Sequence, residues 1–362
     1  MDRNELQESA ASILFTSKRL VCQWATGMGK SGIALRFLAN HPMKCLIVVP
    51  EQDNITNWRK EFEKFHVSGE DVTVICYASL HKHTGTHWGL LVLDEVPHMD
   101  TEKRIKMLKS VNADHVLALG AVVDKDEMDS LCSVYGNFKN WRVPLNTAIN
   151  WGILPGPEIN VIHLQMDDTL PAHWFNGHAY TEKQMYRILN DKVDSAVAAY
   201  NACSNDWNKR KMLKAGNDRK KFLGTCKGMA IRKICDRLES EGKRFLCFCS
   251  SIKQAESLGG DRAYTSKSLK SMAHLEKFNN GEINSLFVVG KLIEGQNLVN
   301  IQCGVIGQLG GTERITVQEL GRIMRSDKPV IYVPVFDGTK DDSFLYTLTA
   351  NIPDRCIKHE NF

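Results

Sequence analysis

One short stretch limits this chain more than any other. Leu20-Val-Cys-Gln-Trp24 reads as an apolar strand, Ala25-Thr-Gly-Met-Gly-Lys-Ser31 follows it, and Gly32-Ile-Ala-Leu-Arg-Phe-Leu38 continues as a helix. A strand that passes through a glycine turn into a lysine, a hydroxyl and a helix belongs to a sheet with helices packed on it. The glycines let backbone N–H groups close on phosphate oxygens, and the helix N-terminus favours negative charge. Thr26, Gly27, Met28, Gly29, Lys30 and Ser31 are therefore candidate nucleotide-binding residues. Lys30 can reach the β- and γ-phosphates of ATP, and Ser31 can ligate Mg2+. The shorter T-G-x-G-K-S form is met in full, while Trp24 occupies the first glycine position of the longer G-x-x-x-x-G-K-S pattern.

The same alternation continues along the chain. Cys45–Val49, Val72–Cys76, Leu90–Leu93 and His115–Leu119 complete a first series of strands. Arg244–Cys249, Ser285–Val289, Cys303–Ile306 and Val330–Pro334 make a second. The predicted fold class is α/β, as two domains in tandem. Trp151-Gly-Ile-Leu-Pro-Gly-Pro157 is rich in turn formers and reads as the connection between them, and the helical spacing from Thr181 to about Glu241 reads as a helical entry into the second. With 362 residues, 43% of them hydrophobic and 24% charged, the chain can bury two cores and is neither disordered nor fibrous.

Charge and cysteine content narrow the setting. A net charge of +4 is too small to demand a polyanionic partner, so a basic surface has to be local. It is local from Asp206 to Arg244, where Lys209, Arg210 and Lys211 begin a run of cations that outnumber the acids. That run suits nucleic-acid phosphates, and it equally suits a solvated helix face. Trp207 and Phe222 within it can stack on bases, although a core position is the commoner fate of such aromatics. Eleven scattered cysteines form neither a disulfide framework nor a paired zinc spacing, which points to a reducing cytoplasm. Cys247 and Cys249 are expected to be buried thiols on opposite faces of a strand. His81, His83 and His87 lie in a glycine-containing loop without neighbouring Cys or carboxylate and read as polar surface. No apolar run approaches the roughly 20 residues a membrane helix needs, and the N-terminus lacks a signal-peptide pattern, so we expect a protein neither secreted nor embedded.

After the strand Leu90–Leu93 come Asp94 and Glu95. Paired with the phosphate loop, Asp94 is placed to hold Mg2+ and Glu95 to orient or deprotonate an attacking water.

Taken in order, these motifs resemble the superfamily 2 helicases and translocases, over nearly the whole chain. Gln7 in Leu6-Gln-Glu-Ser-Ala10 looks like the adenine-reading glutamine, and Asp94-Glu-Val-Pro-His98 stands in the place of the Asp-Glu box. Ala148–Leu154 is similar to the interlobe crossing of phage UvsW-like and restriction-motor relatives. Glu294-Gly-Gln-Asn297 looks like motif V, which implicates Gly295 and Asn297 in nucleotide binding. Gln318-Glu-Leu-Gly-Arg-Ile-Met-Arg325 fits the Q-x-x-G-R-x-x-R pattern of motif VI. Gln318, Arg322 and Arg325 fall along one helical face, so two guanidiniums can meet the charge of a transferring phosphoryl group. Family position also suggests Pro50, Asn57, Ser250, Ser251 and Thr265 as nucleic-acid contacts, with helix capping as the alternative for the small hydroxyl residues.

The resemblance implies two tandem RecA-like domains, each a mainly parallel sheet flanked by helices: lobe 1 over 1–147, a linker over 148–165 and lobe 2 over 166–362. It further implies an ATP- and Mg2+-dependent DNA helicase or duplex translocase of replication, recombination or repair, with DNA favoured over RNA. The expected protein is monomeric, works with partner proteins of those processes, and lies in the cytoplasm, the host's if phage-encoded. An RNA helicase and an ATP-gated clamp are the alternatives. Three departures bear on coupling: Pro97 stands where relatives carry His or Asp, with His98 one residue late; Leu119–Val123 lacks the hydroxyls of motif III; and Gly290 replaces a frequent threonine of motif V.

Overall fold

The computed structural model describes residues 2–99, 102–265, 271–289, 298, 300–310, 320–321, 323–324 and 326–362. The first half holds six strands: β1 (Arg19–Trp24), β2 (Cys45–Val49), β3 (Val72–Cys76), β4 (His87–Leu93), β5 (Asn112–Gly120) and β6 (Lys139–Val143). They form one parallel sheet in the order β3-β2-β4-β5-β1-β6. Helices α1 (Arg3–Ser17), α2 (Ser31–Asn40), α3 (Gln52–Lys64), α4 (Glu102–Leu108), α5 (Lys125–Tyr135) and α6 (Leu145–Asn150) accompany it. Strand β2 is buried along its whole length, as expected of Cys-Leu-Ile-Val-Val between two covered faces. Capping boxes start α1, through Asp2 and Glu5, and α5, through Asp124 and Glu127.

The register decides where chemistry can collect. Strand β5 lies between β1 and β4, with Gln23 opposite Gly120 and Leu93 opposite Ala118. All three therefore end close to level. The loops leaving β1 and β4 face each other across the end of β5, the edge at which open parallel sheets bind ligands.

The second half holds β7 (Glu158–Leu164), a small hairpin β8 (His173–Phe175) and β9 (His178–Tyr180), and helices α7 (Glu182–Ala202), α8 (Asp206–Cys226) and α9 (Gly228–Ser240). It continues through β10 (Phe245–Cys249), α10 (Ile252–Gly259), β11 (Ala263–Tyr264), α11 (Ser271–Asn279), β12 (Ser285–Val289), β13 (Cys303–Ile306), β14 (Val330–Phe336), the helix Lys340–Thr349 and β15 (Ile357–Asn361). Seven of these strands form a second parallel sheet, β11-β12-β10-β13-β14-β7-β15.

Four sequence expectations need amendment. Residues 158–164, read as part of the linker, are a strand inside the second sheet, paired with β14 on one side and β15 on the other. Strands β6 and β15 go unannounced because Lys-Asn-Trp-Arg-Val and Ile-Lys-His-Glu-Asn are polar sheet edges, mostly exposed. Cys247 and Cys249 share a face, their sulfurs 3.9 Å apart, since residues two apart on a strand point the same way. Arg219 and Lys227, counted in the basic run, are buried.

A single apolar cluster joins α1, β1 and α2 to Ile149, Ile153 and Leu154 of the crossing and to Leu246, Phe248, Ile306, Leu320, Ile323 and Met324 of the second half. Among the described residues no helix is long and apolar enough to cross a membrane.

Candidate active site

The loop between β1 and α2 is shaped for an anion before any side chain is considered. Gly27 and Gly29 take φ of +90° and +78°, the left-handed region that favours glycine. Helix α2 starts without a side-chain cap, so its N-terminal field faces the loop. Met28 is fully buried in the core cluster and can offer a ligand only its backbone. The Lys30 ammonium lies along the loop and donates to the Trp24 carbonyl at 3.1 Å. Trp24 itself is buried and meets Trp141 edge to face at 5.7 Å, an aromatic wedge under the loop in place of the missing first glycine.

Gln7 supports this loop from behind. Only 3% exposed, it donates from Nε2 to the Gly29 carbonyl at 2.8 Å, and its Oε1 accepts from Arg36 Nε at 3.0 Å. A Cβ on Gly29 or Gly32 would come within 2.5 Å of the Gln7 amide, so both glycines are needed for the fit. The side chain expected to read adenine thus has both ends of its amide engaged by protein groups. Arg36, which fixes it, was not singled out in the sequence.

Across the end of β5, Asp94 and Glu95 emerge from β4. The Asp94 N–H donates to the Val48 carbonyl at 2.9 Å, and Tyr77, fully buried, donates its hydroxyl to the Asp94 carbonyl at 3.1 Å. The Asp94 carboxylate accepts from Trp58 Nε1 at 2.9 Å. Desolvation, reinforced by the charge of Glu95, pushes the Asp94 carboxyl up to about 6, while Trp58 and Lys30 oppose the rise. Glu95 has φ of +51°, a conformation uncommon for a residue with a side chain. Such strain persists where the surroundings impose it, here by bonding Asp94 on both sides. Trp58 lies 36 residues before Asp94 and no short motif joins them, so local pattern could not find it. Gln23 had a signal, a polar residue inside an apolar strand. It donates to Asn140 at 3.0 Å and accepts from the Val123 N–H at 3.1 Å, fixing the segment read as motif III to β6.

The second half reaches the loop through Gly321. A Cβ there would lie 2.5 Å from Thr26 Cβ, so the backbone around Gly321 is packed directly on the phosphate loop. Leu154 of the crossing closes on Gly27 from the other side, 3.3 Å from where a Cβ would stand. Gly290, Gly295, Asn297, Gln318, Arg322 and Arg325 lie outside the described residues, as do the side chains of Pro97 and His98.

The nucleic-acid candidates divide. Lys209, Arg210 and Lys211 are exposed on α8, and Trp207, against expectation, is 64% exposed with the Lys211 ammonium 5.0 Å from its ring centre. Phe222 is half-buried against His173. Ser251 caps α10 by accepting from the Gln254 N–H, and Ser250 donates to Gln254 Oε1 at 2.8 Å. Thr265 is buried, while Pro50, just before α3, and Asn57, in the middle of that helix, are half-exposed. His81 and His87 are exposed and His83 is packed on Trp88.

Comparison with known proteins adds kinship to this geometry. No protein-family model matches the chain. It is 29% identical over 141 residues to the DNA 3'-5' translocase XPB2 of Sulfurisphaera tokodaii, covering 35% of this chain and 32% of that protein. It is 22% identical over 354 residues to the putative DNA 3'-5' helicase Rad25 of Halobacterium salinarum, covering 87% of this chain and 51% of that one. The chain thus spans about half the length, or less, of these relatives. Among solved structures, the Hef helicase domain of Pyrococcus furiosus superposes with a TM-score of 0.59 at 12% identity, over 94% of this chain and 97% of that one, which shows a shared fold.

Proposed function

We propose that this chain, a member of the superfamily 2 helicases and translocases, is a nucleic-acid-stimulated ATPase that uses hydrolysis to unwind DNA or to travel along it. One observation carries the reading. The phosphate loop, with its two left-handed glycines and Lys30, faces Asp94 and Glu95 across a strand end, and Gly321 of the second half packs on Thr26 of the same loop.

In this reading the backbone of residues 26–31 cradles the triphosphate, and Lys30 neutralises its terminal charge. The loop fits the substrate, since the glycine φ angles and the uncapped α2 N-terminus leave it open to anions. Ser31 and Asp94 would hold Mg2+, which when bound offsets charge on the phosphates. Glu95 orients the attacking water and takes its proton. Arg322 and Arg325 follow Gly321 closely in the chain, so closure of the second lobe on Thr26 would bring their charge to the γ-phosphate. The first lobe would end near residue 147, and the second would take in β7.

Movement needs a grip on nucleic acid, and the exposed cations of α8 beside Trp207 supply one through backbone phosphates and base stacking. Ser250, Ser251 and Thr265 are assigned to structure, because their side chains are engaged or buried. DNA and 3'-5' polarity are extended from what the relatives are named for, and a role in replication, recombination or repair from the resemblance of the sequence motifs. A reducing cytoplasm is carried over from the scattered spacing of the eleven cysteines in the sequence.

The test measures ATP turnover against single-stranded DNA, duplex, forked and branched DNA and RNA, with strand displacement and translocation followed on the same preparation. DNA-stimulated turnover with directional movement is expected. Stimulation by RNA alone would make the chain an RNA motor, and turnover without movement would make it a clamp.

A further inference from the structure

Away from the phosphate loop, three side chains of metal-binding chemistry meet at the base of the helical pair. They are His173 on β8, Glu182 at the first position of α7 and Cys226 at the last position of α8, and one ligand atom from each lies within 4.8 Å of the other two. Among the described residues this is the one set of three His, Cys, Asp or Glu side chains that converges so closely. All three are half-buried.

We propose that His173, Glu182 and Cys226 bind a divalent zinc ion, which staples the β8–β9 hairpin to the start of α7 and the end of α8. Mixed nitrogen, oxygen and sulfur donors suit zinc better than magnesium or calcium, which take oxygen alone. Zinc–ligand bonds of about 2.0–2.3 Å in a tetrahedron put donor atoms about 3.3–3.8 Å apart, so the three need to draw in by about 1 Å. Side-chain rotation can supply that.

The surroundings prepare the donors. The Asp167 N–H donates to Glu182 Oε2 at 3.0 Å, which fixes the carboxylate and leaves its second oxygen for the ion. The His173 ring is held edge-on to Phe222, centres 5.0 Å apart. A cavity of about 660 Å³, lined by Asp167, Glu182, Cys226 and Met229 among others, opens beside the group, giving an entry path and room for water as fourth ligand. Burial first, then the charge of Glu182 and a hydrogen bond with it, raise the Cys226 thiol. Without a cation the thiol keeps its proton. Zinc binding converts it to thiolate and releases that proton to solvent, so affinity falls as pH falls.

The site owes nothing to ATP, and the test is read without it. The full chain, stripped with chelator and re-equilibrated with zinc, is analysed for metal after gel filtration, then loaded with cobalt to read the thiolate-to-cobalt charge-transfer band. The expected result is about one zinc per chain, a band that disappears in Cys226→Ser, and a rise in Tm with zinc that His173→Ala abolishes, with affinity lowered at least roughly a hundredfold. Retention of no zinc by a chain that still shows its native circular dichroism, or a cobalt band that survives Cys226→Ser, would overturn the proposal. If either variant is unfolded, Glu182→Gln keeps the side chain's shape, removes its charge, and should weaken zinc binding in the same assay.

Discussion

Each half of the molecule contains the same unit, a buried strand running through a short loop into a helix, and the two units treat the helix N-terminus in opposite ways. In the second half, β10 passes through Ser250 and Ser251 into α10, and the Ser251 hydroxyl caps the helix by accepting from the Gln254 N–H. In the first half, β1 passes through residues 25–30 into α2, which has no side-chain cap, and Gly27 and Gly29 hold the loop open in left-handed conformations. One unit places a side chain over its helix start; the other closes its first turn with backbone alone, Gly32 N–H to the Gly29 carbonyl at 3.0 Å and Ile33 N–H to the Lys30 carbonyl at 3.2 Å. The difference separates a scaffold from a site: burying the strand is enough for the first, whereas the second also needs a loop held in a less stable shape. That support comes from Gln7 and Arg36 behind the loop.

The contrast is broken most severely at Lys30. With Lys30→Ala the loop keeps its glycines and loses its cation, and ATP turnover should fall by roughly 10²–10³-fold, the usual cost of removing one charge-stabilising donor. Wild-type turnover in this variant would reduce the first unit to a scaffold like the second. Gly321→Ala tests the same loop from the other lobe. The added Cβ would lie 2.5 Å from Thr26 Cβ, so the second half has to back away. Displacements of about 1 Å can cost as much as 100-fold in rate, and a loss of at least roughly tenfold in kcat is expected with the fold intact by circular dichroism. Unchanged kcat would mean that closure on Thr26 plays no part in hydrolysis.

How much of this could be read from the sequence follows from the same contrast. The interior strands were legible because burial on both faces demands continuous apolar residues, as in Cys45–Val49 and Phe245–Cys249. The strand–glycine turn–helix passage at residues 19–40 and the strand end before Asp94–Glu95 were legible because glycines beside a lysine, and an apolar run that stops at two carboxylates, mark such places in sequence. The edge strands β6 and β15 were not, since polar edges carry no such demand. Nor were Trp58, Arg36 and Tyr77, whose roles arise from contacts that only the folded chain creates. Trp207 misled in the other direction: general burial tendency places a tryptophan inside, yet on α8 it stands in solvent among lysines.

Asp94 offers a gentler way to sharpen the comparison. Its carboxyl is pushed from the ordinary 3.8 up to about 6 by desolvation and by Glu95, so the affinity for Mg2+ should drop as pH falls through about 6. The Trp58 hydrogen bond opposes the rise, and Trp58→Phe should therefore move this limb to higher pH, with a few-fold lower rate at pH 7 and limiting Mg2+. An unmoved limb would detach Asp94 from metal binding. Stability runs the opposite way. With the folded pKa above the unfolded one, the folded chain binds more protons between about pH 4 and 6, and the ionised carboxylate costs stability above that window. Asp94→Asn should raise Tm most above pH 6, with the gain fading as pH falls toward 4, while turnover is lost.

The smallest effect belongs to the capped unit. Ser251→Ala removes the hydroxyl that accepts from the Gln254 N–H, and the second lobe should lose about 1 kcal/mol in urea unfolding. Gln254 also accepts from Ser250 and donates to the Gly224 carbonyl, so the start of α10 stays anchored to α8 when the cap is gone. For that reason kcat, the KM for ATP and the salt dependence of DNA binding should all stay at wild-type values. A change in the salt slope with kcat unaltered would return the Ser250–Ser251 loop to the nucleic-acid surface. The start of α10 would then join the start of α2, where we propose that the triphosphate sits, as a phosphate contact, with the Ser251 cap yielding to ligand once a strand is bound.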